Sequence, residues 1–403
     1  MDDIVEDPIR VPYLNNSLIE INPSRKHENE RNRLPAVFNM PSQHTNDHVL
    51  KPYIHNDQQI DDDAPLDDNV EYYITRGCGI VSIMTENLLM HPFLVLRRQC
   101  QVNPISKKYH VFPVTLLPII IRLNQTQGIC TLWKGIGSVL IVRGLSMAIE
   151  DLISKVTYLP KEISGASNKM FFQHIILKCV AIGMVTPFYS ASLIETVQSD
   201  VASEKPGILD VFRDGMKRLL EVRNKGRLIP ILALQPPTIA CGVLKYLFSL
   251  LVKSIAGHII RINHKYSQKS RGAYSRVYIA TTKADNIEFQ SILISLWTAE
   301  IVFYPLETII QRLHLQGTRT IIDDLDTGRS VTAMLTDYSG VVHCYQTIIS
   351  TEGVLGLYKG FGALIIQFAI HTLVLKVSKW IFTEIGTMMK SEQTSSKSHN
   401  KLY

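Results

Sequence analysis

The chain has 403 residues, 46% of them hydrophobic, with a mean hydropathy of +0.08 and a formal charge of +6, averages that conceal two unlike parts. Residues 1–71 carry 15 acidic and 6 basic residues, a net of −9, while the remainder carries 36 basic and 21 acidic residues, a net of +15. The basic residues of the body mostly flank apolar stretches, as Arg97-Arg98, Lys107-Lys108, Lys217-Arg218, Arg261 and Lys265 do; this pattern fits contact with anionic membrane lipids and argues against nucleic acid as a partner.

Residues 1–70 are predicted to form a disordered acidic tail. Scattered prolines, many Asn and Asp, and the cluster Asp61, Asp62, Asp63, Asp67 and Asp68 leave too little apolar surface to offset the entropy of ordering the chain. The segment lacks the charged-then-apolar start of a signal peptide and the Arg-rich, acid-poor character of a cleaved presequence. Targeting is therefore expected to come from internal signals or from the membrane segments.

Six interrupted apolar stretches follow, at 75–99, 133–156, 172–199, 229–261, 288–314 and 361–386; a bilayer core requires about 20 largely apolar residues, and few stretches here are that long without interruption. Each has an ionisable residue near mid-depth: Glu86, Arg143, Lys178, Lys245, Glu300 and Lys376 in turn. Such groups are costly against lipid, so all six are expected to face the bundle interior, a partner charge or a water-filled cavity, which favours one bundle over independent anchors.

An internal repeat groups the stretches into hairpins. The first copy passes through His91-Pro92 to Gly128, four further residues and Trp133-Lys134-Gly135. The last passes through Tyr304-Pro305-Leu306-Glu307 to Gly353, four residues and Tyr358-Lys359-Gly360. The middle copy is weaker and keeps Thr186-Pro187-Phe188-Tyr189 before a second apolar stretch. The fold expected is an all-α membrane protein with repeat 1 over 71–160, a degenerate repeat 2 over 161–265, repeat 3 over 266–386 and a polar tail over 387–403. Prolines 92, 187 and 305 each remove a backbone donor and kink a helix at a matching place, so the helices can converge into a cup.

Over roughly residues 72–386 these motifs resemble the mitochondrial carrier family, solute carrier family 25. Its odd-numbered helices end in Pro-x-[Asp/Glu]-x-x-[Lys/Arg], and its even-numbered helices follow [Asp/Glu]-Gly-x4-[aromatic]-[Lys/Arg]-Gly. Longer strings at 91–103, 187–199 and 304–323 resemble one outer-membrane branch of that family. The resemblance implies six transmembrane helices in three pseudo-repeated hairpins, multi-pass residence in the mitochondrial outer membrane and no cofactor. It also implies structural roles for Pro92, Arg97, Gly128, Trp133, Lys134, Gly135, Pro187, Pro305, Glu307, Arg312, Gly353, Tyr358, Lys359 and Gly360. The partners it implies are membrane lipids, mitofusins, the cristae-organising MICOS complex and the endoplasmic reticulum membrane complex.

The chain departs from the family where transport needs it most. Two residues after the proline, only the third unit keeps an acid, Glu307; the others offer Leu94 and Tyr189. Five after the proline, Arg97 stands against Ser192 and Ile310. Glu307 with Arg97 is a candidate pair, and Arg312 lies seven after Pro305, where carriers also tend to be basic. The second closing network is reduced to Glu150-Asp151 with Lys155 out of register, and Gln367 stands where many carriers contact substrate through arginine. Alternating access needs contacts that differ between two states. The expected function is therefore a non-transporting organiser of mitochondrial fission and fusion, cristae and lipid exchange at contacts with the endoplasmic reticulum. The alternative is a solute carrier with a non-standard gate, in which Arg143, Lys178 and Gln367 line an anion site.

Six scattered cysteines without Cys-x-x-Cys spacing indicate neither a zinc site nor a disulfide framework. No phosphate loop, zinc-protease motif or nucleophile–base arrangement stands out, so neither an enzyme nor a cofactor protein is expected. Residues 317–340, with Asp323, Asp324 and Asp326, are read as an exposed acidic loop, either a docking site or a solvated linker, and residues 263–285 as a polar linker.

Overall fold

The computed structural model describes residues 68–161, 168–200, 207, 209–220, 228–271 and 278–400. The acidic tail expected over 1–70 lies outside them except for residues 68–70, which begin a helix. Each unit consists of a long helix, a short helix and a second long helix. The first holds α1 (Asp68–Val102), α2 (Leu117–Gln127) and α3 (Ile136–Thr157). The second holds α4 (Asn168–Val197), α5 (Asp210–Leu220) and α6 (Ile231–Arg271). The third holds α7 (Tyr278–Leu315), a two-stranded hairpin of β1 (Ile321–Asp323) and β2 (Val331–Ala333), α8 (Val341–Glu352) and α9 (Phe361–Asn400).

The repeat has a backbone explanation. α2 and α8 each stop at a glycine of positive φ, Gly128 at 86° and Gly353 at 72°, whose N–H reaches back to Asn124 and Ile349 respectively. A single 3₁₀ turn follows, Ile129–Trp133 or Val354–Tyr358, and a second left-handed glycine, Gly135 at 67° or Gly360 at 79°, aims the chain into the next long helix. Both glycines of each pair adopt a conformation that a Cβ disfavours, which is why their spacing recurs.

Pro92, Pro187 and Pro305 lie inside α1, α4 and α7, each ten residues before the helix's last residue. Beyond the prolines, Val102, Leu193, Val197 and Leu315 meet in one buried cluster. α3 packs on α4, α4 on α6, α6 on α7, and α9 back on α1, and all six long helices line a central cavity. Among the described residues, four segments, Asn168–Val197, Ile231–Asn263, Ile287–Leu315 and Val354–Ser378, are long and apolar enough to cross a membrane by length and composition. Outward-facing residues such as Phe172, Ile176, Leu244, Leu251, Val302 and Leu373 are exposed, as a lipid-facing belt requires.

Several expectations need correction. Residues 263–285 are not simply a linker, because α6 runs on to Arg271 and α7 begins at Tyr278; the polar composition marks helix outside the bilayer. The tail expected from 387 is likewise helical to Asn400. Lys376 is exposed and lies two residues before the end of its membrane span, near enough to water for its long side chain to reach it. The loop at 317–340 is a folded strap. β1 pairs antiparallel with β2 in the register Ile321↔Ala333, Ile322↔Thr332 and Asp323↔Val331. It also bridges Gln198 at the end of α4 through Ile322, with the Ser199 N–H donating to Ile321 O at 2.8 Å. Ile322 and Met334 then complete the cluster around Val102, Leu193, Val197 and Leu315.

Candidate functional site

The central cavity holds about 190 Å³. Its wall is largely apolar, and its Arg, Lys and Glu lining is Arg97 and Arg98 from α1, Arg143 from α3, Lys245 from α6, and Glu300 and Glu307 from α7, with His371 from α9 beside them. Toward the proline end these groups interlock. Arg97 pairs with Glu307 at 2.6 Å and approaches Glu300 at 3.6 Å, while Lys245 pairs with Glu300 at 2.7 Å and approaches Glu307 at 3.6 Å. Two cations thus share two carboxylates, an arrangement that offsets the cost of placing four charges inside a bundle. The Arg97–Glu307 pair suggested by the sequence is present. Lys245 and Glu300, recognised beforehand only as isolated mid-depth charges, complete it.

Arg98 shows how a lost family position is filled. Tyr189 stands two after Pro187, where an acid would be, and its ring lies 5.7 Å from the Arg98 guanidinium; Arg98 also donates to Thr196 Oγ1 at 3.0 Å. Gln367 lines the cavity and accepts from Arg97 at 3.2 Å, and Arg143 lines it as well. Lys178 does not line it. Its ammonium pairs with Glu150 at 2.8 Å and lies 5.5 Å from the Tyr246 ring, a buried link among α3, α4 and α6. An anion site made by Arg143, Lys178 and Gln367 together is thus not what the fold builds.

The glycine–lysine motifs form two buried junctions. In the third unit, Glu352 receives Arg312 through both carboxylate oxygens, one of them at 2.9 Å, and Lys359 at 2.6 Å. Arg312 and Lys359 are fully buried, and both also donate to backbone carbonyls at the end of the first unit's long helix: Arg312 to Gln101 O at 2.9 Å and Lys359 to Asn103 O at 3.0 Å. Gly360 fits because an added Cβ would lie 2.6 Å from Cys100 Cβ.

In the first unit the residues equivalent to Arg312, Glu352 and Lys359 are Gln99, Gln127 and Lys134. The local acid is missing. Asp323 of the strap takes its place, accepting from Lys134 at 2.8 Å, Gln127 at 2.8 Å and Gln99 at 3.0 Å. Burial alone would raise the Asp323 carboxyl, but Lys134 and hydrogen bonds from Ser199 and Gln127 outweigh it and hold the group below the ordinary carboxylate range. Asp326 clamps the neighbouring segment, accepting from the Ser106 hydroxyl at 2.7 Å and the Lys107 and Lys108 N–H groups at 2.6 and 3.1 Å. Asp323, Glu352, Lys245 and Glu300 were missed as site residues. Of these, Lys245 and Glu300 are visible in the sequence as mid-depth charges and Asp323 as part of an acidic loop, while Glu352 stands immediately before Gly353 as the acid of the family motif. Among the described residues, no group of three or more His, Cys, Asp or Glu side chains is placed to hold a metal ion.

Three helical hairpins, each with a proline inside its first long helix, surround a central cavity that carries a few charges, and with the paired glycine–lysine turns they define a carrier-type membrane bundle. The chain belongs to the mitochondrial carrier family: the mitochondrial carrier protein pattern matches residues 68–154 and 289–384, the first and third units, and passes over the middle one. The chain is 42% identical over 313 residues to solute carrier family 25 member 46-A of Xenopus laevis, covering 77% of this chain and 74% of that one. It is 41% identical over 314 residues to the mitochondrial outer membrane protein SLC25A46 of Homo sapiens, with 77% and 74% covered. It is 37% identical over 327 residues to the protein of that name from Danio rerio, with 80% and 81% covered. Like these relatives it is a multi-pass protein of the mitochondrial outer membrane, in a family that is not enzymatic.

Proposed function

We propose that this protein is a carrier fold that no longer transports, and that it organises mitochondrial fission and fusion, cristae maintenance and lipid exchange at contacts with the endoplasmic reticulum by recruiting partners. Mitofusins, MICOS and the endoplasmic reticulum membrane complex are the proposed partners, together with membrane lipid. The observation that carries this reading is the proline end of the cup. Two of its three acidic gate positions are lost, and the surviving Arg97–Glu307 pair is tied into a four-charge cluster with Lys245 and Glu300. A transporter needs contacts there that break and re-form in turn.

The cavity itself favours a second reading. Four cations line it against two carboxylates, which suits an anionic solute. Reconstituted uptake separates the two. The expected result is no flux of carboxylate or phosphate anions, together with full restoration of mitochondrial shape by Arg143→Ala and Gln367→Ala in cells lacking the protein. Uptake abolished by Arg143→Ala would establish the carrier reading instead. Deletion of residues 1–70 is expected to leave insertion intact and restore shape incompletely.

A further inference from the structure

The strap joins all three units at one end of the cup. Its Asp323 holds Gln99, Gln127 and Lys134 of the first unit. Its β1 backbone bridges Gln198 and Ser199 at the end of the second unit's α4. Its own covalent ends lie in the third unit, between α7 and α8. Beneath these polar contacts, Ile322 and Met334 fill the space among Val102, Leu193, Val197 and Leu315, the last turns of α1, α4 and α7, and all six residues are buried.

In a three-unit bundle, opening this end means moving the last turns of α1, α4 and α7 apart. Here a movement of α1 away from α4 separates Asp323 from Gln99 and Lys134 or Ser199 from Ile321, and a movement of α7 away from either uncovers the cluster that holds Leu315. Lys134 and Asp323 are nearly inaccessible to water, so neither is solvated while the pair is intact. The substitution of Gln127 for the local acid makes the dependence stricter. The first unit cannot neutralise its own lysine by closing on itself, as Glu352 lets the third unit do; it needs the strap in place.

We propose that the strap is a permanent floor, with Asp323 as its positioning residue, so that the cavity communicates only with the membrane side carrying the N-terminus of α1. This deepens the non-transporting reading and rests on it, because a floor that never parts leaves a receptacle with one mouth.

Cys241 lines the cavity and serves as a reporter. The experiment uses the full-length chain with Cys241 as its single cysteine, reconstituted in liposomes whose protein orientation is established by protease cleavage of the N-terminal tail. A membrane-impermeant maleimide is added to one side at a time. The expected result is labelling from the tail side and at least tenfold slower labelling from the strap side. Asp323→Asn is expected to raise strap-side labelling severalfold. If Asp323→Asn does not accumulate, a protease site inserted after Arg329, in the exposed turn between β1 and β2, is cut after reconstitution and is expected to give the same rise. Equal labelling from both sides in the starting protein overturns the floor, as does a cut or substituted strap that leaves labelling unchanged. Two-sided labelling without anion uptake removes the floor and spares the non-transporting reading, whereas uptake removes both.

Discussion

In the third unit the carboxylate that neutralises the junction lysine is Glu352, seven residues before Lys359 on the same turn; in the first, Lys134 is neutralised by Asp323, which arrives on a hairpin belonging to another unit. The two junctions share their glycine geometry and a lysine whose side chain is nearly inaccessible to water, and differ in where the acid comes from. A junction with a local acid can form as its own unit folds. One with a borrowed acid forms only after a contact of long sequence separation, and so depends on the assembled bundle.

The sharpest test of the contrast is Glu352→Ala, which leaves Arg312 and Lys359 buried without a carboxylate. Removing one member of a buried ion network typically costs about 3–5 kcal/mol, so steady-state abundance is expected to fall severalfold and the detergent-solubilised protein to unfold at clearly lower temperature. Wild-type thermal stability would show the junction to be of no energetic consequence. Glu307→Ala and Arg97→Ala are expected to cost less than that range. In either variant Lys245 and Glu300 still pair at 2.7 Å, so abundance drops without collapse; a loss equal to that of Glu352→Ala would mean the cluster is not shared.

Asp323→Asn keeps volume and an acceptor, and is expected to cost about 1.5–3 kcal/mol, the range for hydrogen bonds to charged groups. The informative measurement is the double variant. Gln127→Glu restores an acid where the third unit has Glu352 and is expected to recover most of the lost thermal stability; no recovery would refute the equivalence of the two junctions.

The strap should resist mild acid. Asp323 and Asp326 are both held below the ordinary carboxylate range, Asp323 mainly by Lys134 and Asp326 by hydrogen bonds from Ser106 and the neighbouring backbone, in each case against the opposing effect of burial. A depressed folded-state value contributes stability that is complete above the unfolded value of about 3.9 and is lost as pH falls through the folded value. Amide exchange in residues 321–333 is therefore expected to report constant protection, after correction for the intrinsic rate, from pH 7 to 5, with loss beginning below about pH 3.9. Loss near pH 6 would assign the strap's stability to histidine. The smallest effect belongs to Lys376→Gln, an exposed site where a change within about 0.5 kcal/mol is expected.

These contrasts also explain what could be read in advance. Pro92, Pro187 and Pro305, and the spacing from Gly128 to Gly135 and from Gly353 to Gly360, announce three hairpins because each encodes a backbone requirement within a few residues. Asp323 announces nothing, since its partners Gln99, Gln127 and Lys134 lie about 190 residues or more away. For Lys178, depth along the helix is visible in the sequence while direction around it is not; Glu150, on another helix, turns it away from the cavity. Residues 263–285 looked like a linker because polar composition reports exposure to water, and a helix standing clear of the bilayer is as wet as a loop.

That last point bears on α9. Its membrane span closes at Ser378 and its helix continues to Asn400, about 33 Å further at 1.5 Å per residue. That length is comparable to the thickness of the hydrocarbon core itself, so the helix is about twice as long as its membrane crossing requires. Inserting residues there would lengthen the helix by about 1.5 Å and rotate its tip by about 100° for each one added.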